Sequence, residues 1–93
     1  MSHILEVQAE AVIDIQEAFE WYEAQRSGLG VEFIEELESS YDDLCSHPQH
    51  YTAINEQFRR LKVNRFPYLI IYEIEGIKVI VNSVRHSSRK PKF

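Results

Sequence analysis

The stretch Arg65–His86, RFPYLIIYEIEGIKVIVNSVRH, decides the fold. Val, Ile and aromatic residues fill it at every second or adjacent position, the composition of a strand rather than a helix. Pro67 lacks a backbone donor, so it belongs at the first residue of a strand or in a bend. Glu75-Gly76 interrupts the run and predicts a tight turn, which makes "YLIIYEIE" and "IKVIVNSVR" the two arms of an antiparallel hairpin. Alternation along these arms sends one set of side chains to a core and the other to the opposite face.

Working outward, "FRRLKVNRF" (58–66) has the same period and supplies a strand before the hairpin. Further upstream the period changes. Ala11, Val12, Ile15, Ala18, Phe19 and Tyr22 recur at three- and four-residue intervals, with Glu10, Asp14, Glu17, Glu20 and Glu23 between them. That is an amphipathic helix, and Gly28 is placed to end it. Leu29, Phe33, Ile34, Leu37, Tyr41 and Leu44 mark a second helix, stopped by His47-Pro48. The short link predicts an antiparallel helical hairpin, with Phe19, Trp21, Tyr22 and Phe33 in its core or between its helices. "HILEV" (3–7) suits a first strand. The expected fold is α+β, in the order β-α-α-β-β-β. The helical hairpin would cover one face of a twisted, mainly antiparallel four-stranded sheet, all within one domain over residues 1–93.

The chain has 93 residues and a formal net charge of −5. This overall sign argues against a general nucleic-acid binder, but the charge is unevenly placed. Residues 1–57 hold thirteen acids against Arg26 alone, a net −12, whereas residues 58–93 hold nine bases against Glu73 and Glu75, a net +7. Such asymmetry places a positive field on a protein that is acidic overall. The lone Cys45 can form no intrachain disulfide, which suits a reducing compartment. The N-terminus lacks the pattern of a signal peptide and no apolar run is long enough to span a bilayer, so a cytoplasmic protein without a membrane partner is expected.

Four segments, taken in order, resemble the RelE/ParE superfamily of bacterial type II toxins, the plasmid stabilisation protein family. They are "EAVIDIQEAFEWYEAQRSGLGVEFIEELE" (10–38), "DLCSHPQHY" (43–51), "RRLKVNRFPYLIIYEIEG" (59–76) and "VIVNSVRHSSRKPKF" (79–93). The resemblance implies the fold described above, a cognate antitoxin as partner, and growth arrest when the toxin is free. RelE-like members are ribosome-dependent messenger-RNA endonucleases; ParE-like members inhibit DNA gyrase by binding it. In the nuclease pattern an arginine follows the tyrosine of the third strand and another follows the histidine of the fourth. Here Leu69 follows Tyr68, Ser87 follows His86, and the chain ends in Phe93, which cannot transfer a proton. These departures favour a gyrase-binding toxin over an mRNA interferase; a third alternative is a non-toxic interaction module of the same fold.

On the binding reading, Arg60, Lys62, Arg85, Arg89 and Lys90 form a basic groove for a negatively charged partner, since a guanidinium matches carboxylate or phosphate bidentately. On the nuclease reading, Arg85, His86 and Arg89 are the catalytic candidates, with His86 as the titrating group. Arg65 is expected to be structural. Cys45, His47 and His50 lie close together but match no standard zinc spacing and lack a fourth ligand, so neither metal nor cofactor is expected. Ser87 and Ser88 beside His86 lack an oxyanion motif, which leaves no case for a hydrolase.

Overall fold

The computed structural model describes residues 3–88. In chain order the elements are β1 (Ile4–Val7), α1 (Ala9–Gln25), α2 (Leu29–Ser46), a 3-10 turn (Pro48–His50), β2 (Thr52–Ala53), β3 (Arg59–Lys62), β4 (Tyr68–Glu75) and β5 (Lys78–His86). The strands form one mixed sheet in the order β1-β5-β4-β3-β2, with β1 parallel to β5 and the remaining pairs antiparallel. The α+β class and the packing of two helices against the sheet match the sequence reading. The sheet has one more strand than expected. β2 is two exposed residues pairing with Arg59 and Arg60, too short to carry any periodic signal. It exists because the loop after it folds back: Asn55 Oδ1 accepts the N–H groups of Gln57 and Phe58, each at 2.8 Å, and the Ile54 N–H donates to the Phe58 carbonyl.

The core lies between the helices and the sheet. Tyr22 of α1, Phe33 of α2, Phe66 and Tyr68 form an aromatic cluster with ring centroids 5.0–6.1 Å apart, mostly edge to face. Such contacts add about 0.5–1.5 kcal/mol per pair beyond the burial of area. Leu61, Ile70, Tyr72, Val79, Val81 and Val84 extend this core along the sheet, and Ala11, Ala18, Leu37 and Leu44 close it from the helices. The fully buried Tyr72 hydroxyl donates to the Pro48 carbonyl at 2.5 Å, tying the central strand to the end of α2, and burial pushes its pKa up to about 12. Two expectations for α1 are corrections: Val12 on its apolar stripe, and Trp21 in the core or between the helices. Val12 is exposed, and Trp21 is 58% exposed with its ring edge-on to Tyr22, centroids 5.1 Å apart, because α1 turns Ala11, Ala18 and Tyr22 inward.

The link between the helices is tighter than the sequence suggested. α1 ends at Gln25, and Gly28 serves the entry into α2 instead, at φ 92°, a backbone region that glycine occupies without cost. Gly30 lets α2 approach α1 closely: a Cβ there would lie 2.7 Å from the Phe19 carbonyl oxygen. Glu23 spans the gap, accepting the Gly28 N–H at 3.0 Å and the Val31 N–H at 3.2 Å, so a carboxylate from the last turn of one helix caps the positive start of the next. These amide bonds, the Gly28 N–H above all, hold the Glu23 carboxyl below its ordinary range.

One irregularity sets the phase of the sheet. Along most of its length β5 opposes β4 in register, Tyr68 with His86, Ile70 with Val84 and Ile71 with Ser83. Beyond that point Tyr72 opposes Val81, so Asn82 is an extra residue, a β-bulge. Strict alternation from Val79 and Val81 would have turned Ser83 and Arg85 toward the helices. The bulge reverses this, bringing Val84 and His86 inward and sending Arg85 out. Asn82 Nδ2 donates to Glu73 Oε2 at 2.8 Å across the strand pair, which anchors the extra residue.

Two outcomes follow. Because the folded Glu23 carboxyl is more acidic than in the unfolded chain, its stabilisation is present above the ordinary carboxylate pKa and is lost as pH falls through the folded value. Glu23→Gln should therefore lower the melting temperature at neutral pH and converge with the parent at pH about 2; an offset that stays constant across a pH series of thermal melts would contradict the role of charge. Asn82→Ala should cost about 1 kcal/mol in urea unfolding, the scale of one partly buried hydrogen bond, and an unchanged midpoint would mean the backbone holds the bulge unaided.

Candidate functional site

The face of the sheet turned away from the helices is defined by the cross-strand pairs. Lys62, Leu69 and Arg85 lie in one row across β3, β4 and β5, and Arg60, Ile71 and Ser83 form the next. Three of the five residues expected to bind a partner therefore share one face. Arg89 and Lys90 lie outside the described residues. Further along the strands the same face becomes mixed in charge, with Glu73 opposite Ile80 and Glu6 paired to Lys78 at 3.7 Å. The cations are concentrated at the end where β4 begins and β5 finishes.

This face is not uniformly wet. Ile71, Ile80 and Ser83 are buried at its centre, apart from the helix-side core, and the long side chains stand around them. Among the described residues Arg60, Lys62 and Arg85 make no salt bridge. The Lys62 ammonium is nonetheless engaged, donating to the carbonyls of Val63 and Phe66 at 3.0 and 3.2 Å and so closing the β3–β4 turn. Arg85 Nε and Ser83 Oγ are both buried and find no hydrogen-bond partner among the described residues. Leaving such groups unpaired is costly, and they stand two residues apart on one strand face, where an acceptor could bond them. The cations of this face left to a new anionic contact are therefore Arg85 on β5 and Arg60 on β3, with β4 between them.

The other cations have internal work. Arg65, as expected, is structural: it bonds Glu32 at 2.6 Å and Glu36 at 3.4 Å, which fixes it in a left-handed backbone conformation of φ 71°. The hydrogen bond from Arg65, with a second from Arg26, lowers the Glu32 pKa. Arg59, which sequence reasoning did not single out, donates to the Tyr51 carbonyl at 2.7 Å and helps hold β2 in place. Its parity places it on the helix side of the sheet, opposite Tyr72.

His86 falls on the other side of the sheet from Arg85. Its ring lies edge-on to Tyr68, centroids 5.3 Å apart, and both line a hollow against α1. The Ser88 N–H donates to Nδ1 at 3.2 Å and the Ser88 hydroxyl approaches the same nitrogen at 2.7 Å. An Nδ1 that accepts puts the proton of the neutral ring on Nε2. Of the candidates for a nuclease site, Arg85 and His86 are thus on opposite faces of the sheet, and Arg89 lies outside the described residues. No group of three or more His, Cys, Asp or Glu among the described residues could hold a metal ion, and this includes the surroundings of Cys45, His47 and His50. No helix among them is long and apolar enough to cross a membrane.

Comparison with known proteins supplies the family. No curated protein matches the sequence significantly. Among solved structures, the chain is similar to one described as the chromosomal ParDE toxin-antitoxin system from P. aeruginosa, with TM-score 0.80 and 12% identity over 91% of this chain and 96% of that one. It is also similar to an arginine-substituted mutant of the E. coli toxin RelE in the free state, with TM-score 0.71 and 16% identity over 95% of this chain and 86% of that one. The isolated E. coli RelE toxin gives TM-score 0.70 at 16% identity, over 96% of this chain and 88% of that one. At such identities the likeness is one of fold. The family model for the ParE toxin of the type II toxin-antitoxin system parDE matches residues 5–91, nearly the whole chain, and the chain accordingly belongs to the ParE toxin family of type II toxin-antitoxin systems.

Proposed function

We propose that this toxin arrests growth by binding DNA gyrase through the cationic end of its sheet, without chemistry of its own, and that its cognate antitoxin neutralises it by covering that end. The observation that carries the reading is the separation of Arg85 from His86. Arg85 and Arg60, which make no salt bridge among the described residues, lie on the outer face, where a carboxylate-bearing surface or a phosphate would bond them. The His86 imidazole, the acid-base group that phosphodiester cleavage would need beside those cations, faces the helices. Membership of the ParE family supports the same conclusion. Lys62 contributes to this face chiefly by fixing the turn that positions it.

Expression of the chain alone should arrest growth, and co-expression with its antitoxin should restore it. The double variant Arg60→Ala/Arg85→Ala should inhibit gyrase supercoiling at least about tenfold less strongly than the parent, the scale of losing contacts at the centre of an interface. His86→Ala should leave inhibition in place. Codon-phased messenger-RNA cleavage on programmed ribosomes, abolished by Arg85→Ala or His86→Ala, would replace this reading with the endonuclease one. Unchanged growth on expression of the chain would favour a non-toxic module.

A further inference from the structure

The outer face of the sheet carries both signs of charge in a fixed order, and that order selects the anion its cationic end takes. Successive rows on this face are two residues apart, about 7 Å along the strands. Lys62, Leu69 and Arg85 form one row, Arg60, Ile71 and Ser83 the next, and Glu73, Ile80 and Glu6 the one after. Two cationic rows are thus followed directly by an acidic one. Glu73 accepts from Asn82 Nδ2 at 2.8 Å and from Gln57 Nε2 at 3.5 Å, both neutral donors, and its charge is met by no salt bridge among the described residues. Glu6 is exposed, with the exposed Lys78 at 3.7 Å and the Gln8 amide at 3.2 Å.

A polyanion does not match this order. A nucleic-acid strand laid along β4 or β5 from the Arg60 and Arg85 end would bring its next phosphates onto Glu73 and Glu6. Single-stranded bases are held on aromatic platforms, and no residue of these rows is aromatic; Tyr68 and Tyr72 of β4 belong to the helix-side core. The ground between the charges is apolar. Ile71 and Ile80 are 4% and 7% exposed, and Ser83 is fully buried beside them. Arg85 Nε and Ser83 Oγ, unpartnered among the described residues, can both donate, and the two oxygens of a single carboxylate answer a pair of donors.

We propose that the outer face is a receptor for a protein segment of mixed charge. An aspartate or glutamate is taken by Arg85 and Arg60, an aliphatic side chain lies over Ile71 and Ile80, and a lysine or arginine is received by Glu73, with Glu6 across Ile80 from it. On the target-binding reading, from which this follows, the two arginines would accept a carboxylate or a phosphate; the acidic row selects the carboxylate.

The test uses the toxin alone and then its target. Three probes are titrated into the isotope-labelled chain while the Arg85 Nε–H resonance is followed. One is a blocked heptapeptide of threonine and valine with aspartate and lysine four residues apart, about 13 Å in an extended strand. The second carries aspartate at both places, and the third is octathymidylate. The mixed peptide should shift the resonance saturably and bind about tenfold more tightly than the diacid, an attraction at Glu73 being exchanged for a repulsion of similar size. Octathymidylate should bind more weakly than the mixed peptide. Glu73→Gln keeps an oxygen for Asn82 Nδ2, and an unchanged urea midpoint checks that the bulge survives; Glu6→Gln, at an exposed position of the edge strand, is the second variant. Each should weaken the mixed peptide about threefold, the scale of one exposed ion pair, and strengthen octathymidylate. In gyrase supercoiling each should inhibit less strongly than the parent, whereas a face built for polyanions gives the opposite sign. Tighter binding of the diacid or octathymidylate than of the mixed peptide, stronger inhibition by the two variants, or an Arg85 resonance that ignores the mixed peptide would overturn the proposal. A parent toxin that leaves supercoiling untouched while the mixed peptide binds as described would sink the gyrase reading and support this one.

Discussion

A single extra residue in β5 governs what the two faces of this sheet can do. Asn82 has no counterpart on β4, and by its insertion the side chains after it change sides. Val84 joins Val79 and Val81 in the core, Arg85 reaches the outer face, and His86 turns beneath the helices against Tyr68. Without it, alternation would aim the guanidinium at the helix side of the sheet and away from the outer face. The bulge thus reconciles a continuous hydrophobic strand with a cation that must emerge from it. It also decides which of two adjacent candidates, an arginine and a histidine, is available to a partner.

The charge distribution acquires its meaning from that geometry. Acids dominate the two helices, and those not exposed to water are used internally: Glu23 joins the helices through backbone amides, Glu32 and Glu36 hold Arg65, and Asp14 covers a strand edge. Arg65 and Arg59 are consumed by the fold in return. Arg60 and Arg85 remain at one end of the outer face, clear of the acids that hold their neighbours. The sheet thereby separates a cationic surface from an acidic, aromatic one.

Much of the fold was legible because its signals are local. The change of period at Phe58, Pro67 before β4 and the proline after α2 each act within a few residues. β2 was not legible, because Thr52 and Ala53 are exposed and pair through a loop whose closure depends on the side chain of Asn55. At the site, alternation counted back from Val84 puts Arg85 outside, whereas counted forward from Val79 it puts it inside. Only the bulge resolves the two, and Asn82 beside Ser83 is a weak signal for one. The exposed Trp21 could not be foreseen either: the Ala11–Ala18–Tyr22 line and a line through Trp21 lie on adjoining flanks of one helix, and packing chose the first.

The phase of β5 is open to direct measurement by nuclear Overhauser contacts between side chains of the folded chain. The account predicts contacts from the His86 ring to the Tyr68 ring and from Val84 to Ile70, with Arg85 methylene protons touching Leu69. Arg85 methylenes in contact with the Tyr68 ring, and His86 beside Leu69, would mean that the strand runs without its extra residue and that the cationic face is built otherwise.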